Sequence, residues 1–257
     1  MMLPTFLELP PRPGKPRATG MTHVLDNGID LQTVTGVLDA AADYLDVWKL
    51  GWGTAYVDPT LSEKLTLIAD HDVRTCLGGT MLEVAWAQGK ASECLAWAHD
   101  VGFASVEVSR GVAAMEVSEK HDLIRRAARS FAVFSEVGRK DSQEELSSRQ
   151  WTDEIIGDRA AGAQWVIAEG RESGSVGVYR ADGSVRTDVV AAISRAGGIE
   201  SILFETPQKD QQAWFIHEFG PNVNLANVAA SDAIALETLR VGLRADTFGL
   251  SRQWLPI

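Results

Sequence analysis

The 257 residues contain only two cysteines, Cys76 and Cys94. They have neither metal-ligand spacing nor a partner framework, so a disulfide-stapled scaffold and a zinc module are excluded and both thiols are expected to be buried in a reducing cytosol. No stretch approaches the roughly 20 uninterrupted apolar residues that cross a bilayer, and no membrane association is expected. The N-terminus lacks the basic, apolar and small-residue order of a secretory signal. Positive charge is also short. The formal net charge is −11, which argues against general nucleic-acid binding, because affinity for a polyanion needs many phosphate-neutralising Lys and Arg contacts. The histidines, His23, His71, His99, His121 and His217, are scattered and form no paired ligand motif. The first strand runs into Asp26-Asn27-Gly28, without the glycine-rich turn of a dinucleotide-binding open sheet.

What is present is repetition. Short β-branched or apolar runs fall at 22–26, 44–51, 74–79, 105–111, 132–138, 165–170, 201–206 and 223–227. Longer stretches between them, such as LSEKLTLIADH and EKHDLIRRAARS, repeat apolar residues every three or four positions. Eight βα units in a chain of this length predict a single (β/α)8 TIM barrel over 21–257. Ahead of it, Pro4, Pro10, Pro11, Pro13 and Pro16 make residues 1–20 an extended arm. Gly102, Gly162 and Gly197 are expected to close helices in the left-handed conformation.

In such a barrel the carboxyl ends of the strands converge on one mouth. There the chain carries Asp26, Lys49, Glu107 with Ser109, Glu136 with Arg139 and Lys140, Glu169 with Arg171 and Glu172, and Glu205 with Lys209. Glu136, Glu169 and Glu205 each end an apolar run on consecutive strands. Carboxylates confined together repel one another unless a cation neutralises them, and hard oxygen donors suit Mg2+; a structural ion network with the neighbouring Arg and Lys residues is the alternative. Glycines at 51, 53, 78, 79, 170 and 174 let backbone amides approach an anion. Pro207-Gln208-Lys209 places a helix start beside an ammonium group, the expected phosphate site. Trp52, between two glycines at the mouth, is the tryptophan placed nearest the chemistry.

The blocks FLELPPRPGKPR, VLDNG, KLGWGT, GGTMLE, SEVGRK, IAEGRESG, FETPQKDQQ, VNLANVA and LETLRVGLRADTFG together resemble the phosphosulfolactate synthase family, nearly end to end. The resemblance implies a magnesium-dependent lyase that adds sulfite to phosphoenolpyruvate in coenzyme M and sulfolactate biosynthesis, through an enediolate-like intermediate. By that resemblance Lys140 in SEVGRK is the proton donor, with Glu136 and Arg171 beside it in the catalytic set. Asp26, Asn27, Lys49, Arg110, Arg139, Gln208, Lys209 and Asn224 are expected to bind substrate, and Glu136, Glu169 and Glu205 to face the metal. A cytoplasmic small homo-oligomer is expected. Two positions depart from the family pattern, Asn27 where VLDKG is usual, and Arg110 with Val112 where SDGS is usual. If Arg110 faces inward, its guanidinium would favour a planar anion over sulfite. The alternatives are therefore a different nucleophile on the same enol phosphate, or a non-catalytic anion-binding homologue.

Overall fold

The computed structural model describes residues 6–138, 145–171 and 173–249. Eight parallel strands close on themselves in chain order, β1 (Thr22–Asp26), β2 (Val47–Leu50), β3 (Arg74–Leu77), β4 (Ser105–Val108), β5 (Ala132–Val137), β6 (Trp165–Ala168), β7 (Ile202–Glu205) and β8 (Asn224–Ala229). This is the expected (β/α)8 barrel. The connecting helices are α1 (Leu31–Ala41), α2 (Thr54–Val57), α3 (Leu61–Asp70), α4 (Gly79–Ala87), α5 (Ala91–Asp100), α6 (Val117–Ala127), α7 (Ser148–Ala161), α8 (Thr187–Gly197), α9 (Lys209–Phe219) and α10 (Ala233–Arg240).

Strand alternation separates two cores, since successive side chains point to opposite faces. Val47, Cys76, Phe134, Ile167, Leu203 and Ala226 fill the barrel interior. Trp48, Leu50, Leu77, Val106 and Val133 pack outward against the first helices, and Val166, Ala168, Ile202, Phe204 and Leu225 against the later ones. One step further along the inward-facing row come Lys49, Glu107, Glu136, Glu169 and Glu205, so the same parity that fills the core delivers polar groups to the mouth.

Helix ends follow the sequence with one correction. Gly102 and Gly162 adopt positive φ as expected, but in the third case the left-handed residue is Gly198, with φ of 72°, and Gly197 is the last residue of α8. Gly197 is small for a packing reason: a Cβ there would come within 2.5 Å of Ile202 Cδ1. The arm lies across the amino ends of the strands. Arg12 donates to Glu237 at 2.9 Å and to the Gly20 carbonyl at 2.9 Å, and Arg17 donates to Asp46 at 3.2 Å.

Candidate active site

A cavity of about 220 Å³ opens at the carboxyl ends of the strands, lined by Lys49, Trp52, Gly79, Thr80, Glu107, Val112, Glu136, Glu169, Arg171, Glu205 and Asn227 among others. At its floor Lys49 donates to Glu107 at 2.8 Å and lies 3.8 Å from Glu205. Burial disfavours the Lys49 ammonium, but Glu107, Glu205 and Glu136 outweigh it and push its pKa above the ordinary lysine range. Lys49 is therefore a permanent cation at working pH. The Glu205 pKa is also raised, which for an acid favours the neutral form: burial raises it, Lys49 opposes this, and the charge on Glu136 raises it again.

The carboxylates of Glu107, Glu169 and Glu205 are held by backbone or side-chain donors. Glu107 accepts from the Gly79 amide at 3.0 Å, at the first residue of α4. A side chain at Gly79 would meet Ser109 Oγ at 2.3 Å and Glu107 Oε1 at 3.0 Å, so glycine is required for this approach. Glu205 accepts from the Gly170 and Arg171 amides at 2.9 and 2.8 Å and from Asn227 Nδ2, and Glu169 accepts from the Arg171 amide at 2.7 Å. Behind the wall, Lys120 on α6 donates to the Glu136 carbonyl at 2.7 Å and to Asp158 at 2.6 Å.

Among the described residues four non-glycine positions have φ in the left-handed region, and three of them, Trp52, Arg171 and Asn227, line this cavity. Each such conformation costs on the order of 1 kcal/mol or more and persists where the surroundings over-determine it, which is typical of ligand-binding positions.

The expected residues divide sharply. Lys49, Glu136, Glu169, Arg171 and Glu205 meet in the cavity. Arg139 and Lys140 lie outside the described residues. The remaining residues expected to bind substrate lie away from the cavity lining. Asp26 is one residue past the inward-facing Leu25, so it points out of the barrel, where it accepts from Trp48 Nε1 at 3.0 Å and from the Gly28 and Ile29 amides at 2.8 Å, with Lys64 at 3.3 Å. Asn27 is exposed and does not line the cavity. Arg110 has the outward parity and is buried against Glu154 of α7, so it brings no cation to the mouth. Lys209 turns away to Asp246, at 2.8 Å, and Gln208 caps α9 and donates to the Ser173 carbonyl at 2.8 Å. Asn224 opens β8 at the opposite end of the barrel, where it accepts from the Met21 amide at 3.0 Å and donates to the Glu200 carbonyl at 3.0 Å.

Three residues with parts in the site were not assigned from sequence. Glu107 was noted as a strand-end acid and given no role. Asn227 stands at the end of VNLAN, and asparagine is one of the few side chains that tolerates left-handed backbone. Glu83 is a lone acid within the apolar helix GGTMLEVAWA; it is 1% exposed, and its carboxylate accepts from Ser109 Oγ and from the Gly111, Val112 and Ala113 amides at 3.1, 2.7 and 2.8 Å. It fixes the loop that brings Val112 to the cavity wall.

The donor set bears on a cation. Four carboxylates face Lys49 and Arg171 in a confined space, an excess of negative charge that a hard divalent ion would relieve. Among the described residues no group of three or more His, Cys, Asp or Glu side chains is gathered as a cation site. The protein's acidic share would then be one or two carboxylates, the number magnesium commonly takes with waters and substrate oxygens. Glu136, Glu169 and Glu205, at the carboxyl ends of their strands in the cavity, are the candidates for that share.

Fold and site together define a (β/α)8-barrel enzyme whose mouth is built for a small, charged substrate. The family model of (2R)-phospho-3-sulfolactate synthase matches residues 10–246. Phosphosulfolactate synthase of Bacillus subtilis is 44% identical over 249 residues, covering 95% of this chain and 98% of that protein. The enzyme of the same name from Methanothermobacter thermautotrophicus is 39% identical over 246 residues, covering 93% and 95%. The chain belongs to the phosphosulfolactate synthase family. Among solved structures, 3-hexulose-6-phosphate synthase from Salmonella typhimurium aligns with a TM-score of 0.52 at 15% identity, over 90% of this chain and 95% of that one, a likeness of fold alone.

Proposed function

We propose that the protein joins sulfite to phosphoenolpyruvate in a magnesium-dependent reaction, giving phosphosulfolactate. The observation that carries this reading is the convergence of Lys49, Arg171 and the strand-end glutamates on one cavity in a chain 44% identical to a phosphosulfolactate synthase. In the reaction the sulfur lone pair forms a bond to the methylene carbon, the double-bond electrons move into the carboxylate, and a proton added to the adjacent carbon completes the product. Magnesium, when bound, supplies positive charge beside the carboxylate, with one or two of Glu136, Glu169 and Glu205 as the residues that would hold it. Lys49, kept cationic by three glutamates, sits where it can stabilise the same developing charge without itself giving up a proton. Arg171 offers a guanidinium for the carboxylate or phosphate. The proton donor by family resemblance is Lys140.

Purified protein incubated with magnesium, phosphoenolpyruvate and sulfite should form phosphosulfolactate, seen by mass spectrometry. Binding of phosphoenolpyruvate in a calorimeter with no product from sulfite would reject the reading in favour of a non-catalytic anion binder. Reaction with another nucleophile in place of sulfite would move the chain to a different chemistry within the family. Because Arg110 is turned away from the cavity, no observation here favours that second course. We also read the chain as a homo-oligomer, supported by the exposed apolar side chains of Trp52, Tyr56, Val57 and Val84; a monomeric mass by light scattering at micromolar concentration would overturn this. No helix among the described residues is long and apolar enough to cross a membrane.

A further inference from the structure

Strand β8 contains an irregularity that re-aims one side chain. Its register against β1 shifts between Thr22↔Leu225 and Val24↔Val228, so an extra residue is accommodated on the β8 side. Bulges of this kind turn a side chain from its normal face and are frequent next to active sites. Ala226 keeps the inward parity and Val228 packs outward. Between them Asn227, with φ of 53°, enters the cavity wall.

The orientation of its amide follows from its neighbour. Asn227 Nδ2 donates to Glu205 Oε1, and the other Glu205 oxygen is occupied by two backbone amides. Reversing the amide would set Oδ1 against a carboxylate oxygen. Oδ1 must therefore be the atom that faces away from Glu205. The residue is 8% exposed, and among the described residues Oδ1 has no hydrogen-bond donor. A buried acceptor without a donor is costly unless a ligand completes it. Phosphoenolpyruvate and sulfite are rich in acceptor oxygens and poor in donors, so neither anion is the natural complement of a carbonyl oxygen. A cation, or a water bound to one, is.

We propose that Asn227 Oδ1 is a neutral oxygen donor of the magnesium subsite, to the ion or to one of its waters, and that Glu205 orients the Asn227 amide from behind. This rests on the magnesium-dependent reading above and narrows it, moving Glu205 from the ligand set to a positioning role.

The test is magnesium binding by isothermal titration calorimetry on the intact protein without substrates, with Asn227→Gly and Asn227→Asp beside the parent. Glycine accepts left-handed backbone and removes the amide. Aspartate also tolerates it, and keeps an oxygen toward the cavity while losing the Nδ2 donor. The expected result is a loss of affinity of about 10- to 100-fold in Asn227→Gly, the range seen when a metal-site partner is removed, with affinity retained in Asn227→Asp and melting transitions that remain cooperative in both. Equal affinity in parent and Asn227→Gly overturns the proposal while leaving the magnesium reading intact. Loss in both variants alike would assign the effect to the missing Nδ2 donor and also overturn it. A parent that binds no magnesium removes the metal reading itself, and the proposal with it.

Discussion

His23 is buried in the barrel interior, tilted against Phe134 with ring centroids 5.7 Å apart, and among the described residues neither ring nitrogen has a hydrogen-bond partner. Burial, then the Lys49 charge, lowers its pKa to about 3. A base whose folded pKa is depressed contributes stability above its unfolded value near 6.5, and that stability is lost as pH falls toward 3. Between pH 7 and 5 the loss from this one group is about 2 kcal/mol. Urea titrations at the two pH values should show a drop in the parent that is smaller by about that amount in His23→Leu; identical drops would refute the assignment. Lys49 titrates outside this window, and its proposed part is in the chemistry. Lys49→Met should lose turnover by at least about 10²-fold, comparable to removal of one preorganised charge-stabilising group, and because it leaves Glu107 buried without its cation a cooperative melting transition is the control that the fold survives. Lys140→Ala should lose about 10²- to 10⁴-fold, the usual share of a general acid, and wild-type rates in that variant would end the proton-donor role.

At the level of elements, buried lysines tie loops to strands. Lys64 of α3 is 1% exposed and donates to the Ile29 carbonyl at 2.7 Å, with Asp58 at 2.6 Å and Asp26 at 3.3 Å. It joins the segment after β1 to the end of α2, and so steadies the turn that carries Trp52. Lys64→Met would leave Asp26 charged, buried and short of its cation, a class of change that costs about 3–5 kcal/mol; denaturant midpoints should record it, and a cost below about 1 kcal/mol would show the cluster to be dispensable. The same cluster explains what the sequence could and could not reveal. The eight strands were readable because periodicity is local, and β1 falls where the apolar run THVLD places it. Parity was readable too: Lys49, Glu136 and Glu205 sit two residues beyond core side chains on their own strands. Parity also turns Asp26 and Arg110 outward, but what they and Lys209 meet was not readable. Each depends on a partner, Lys64, Glu154 or Asp246, that only the fold brings near. Asn227 escaped because a one-residue register shift leaves no mark in the hydrophobic pattern.

Across the whole molecule, the arm and α10 hold each other in place. Arg12 spans Gly20, Pro221, Asn222 and Glu237, while Arg240 of α10, 1% exposed, donates to the Pro221, Val223 and Met21 carbonyls at 2.7, 2.6 and 3.0 Å. Arg12→Ala strands the Glu237 carboxylate and should lower the melting temperature by several degrees, at about 2–4 °C per kcal/mol for a protein of this size; an unchanged transition would mean that the arm is bound elsewhere. The sequence separation of these contacts, 225 residues for Arg12 with Glu237 and 203 for Met21 with Asn224, bears on how the chain is made. During synthesis the arm and β1 emerge about 200 residues ahead of these partners. The barrel therefore cannot close until Asn224–Ala229 have been made, and the edge of β1 that will pair with β8 waits in the open while β2 to β7 are translated. Nascent chains stalled before residue 220 should remain protease-sensitive in the arm, whereas released chains should not.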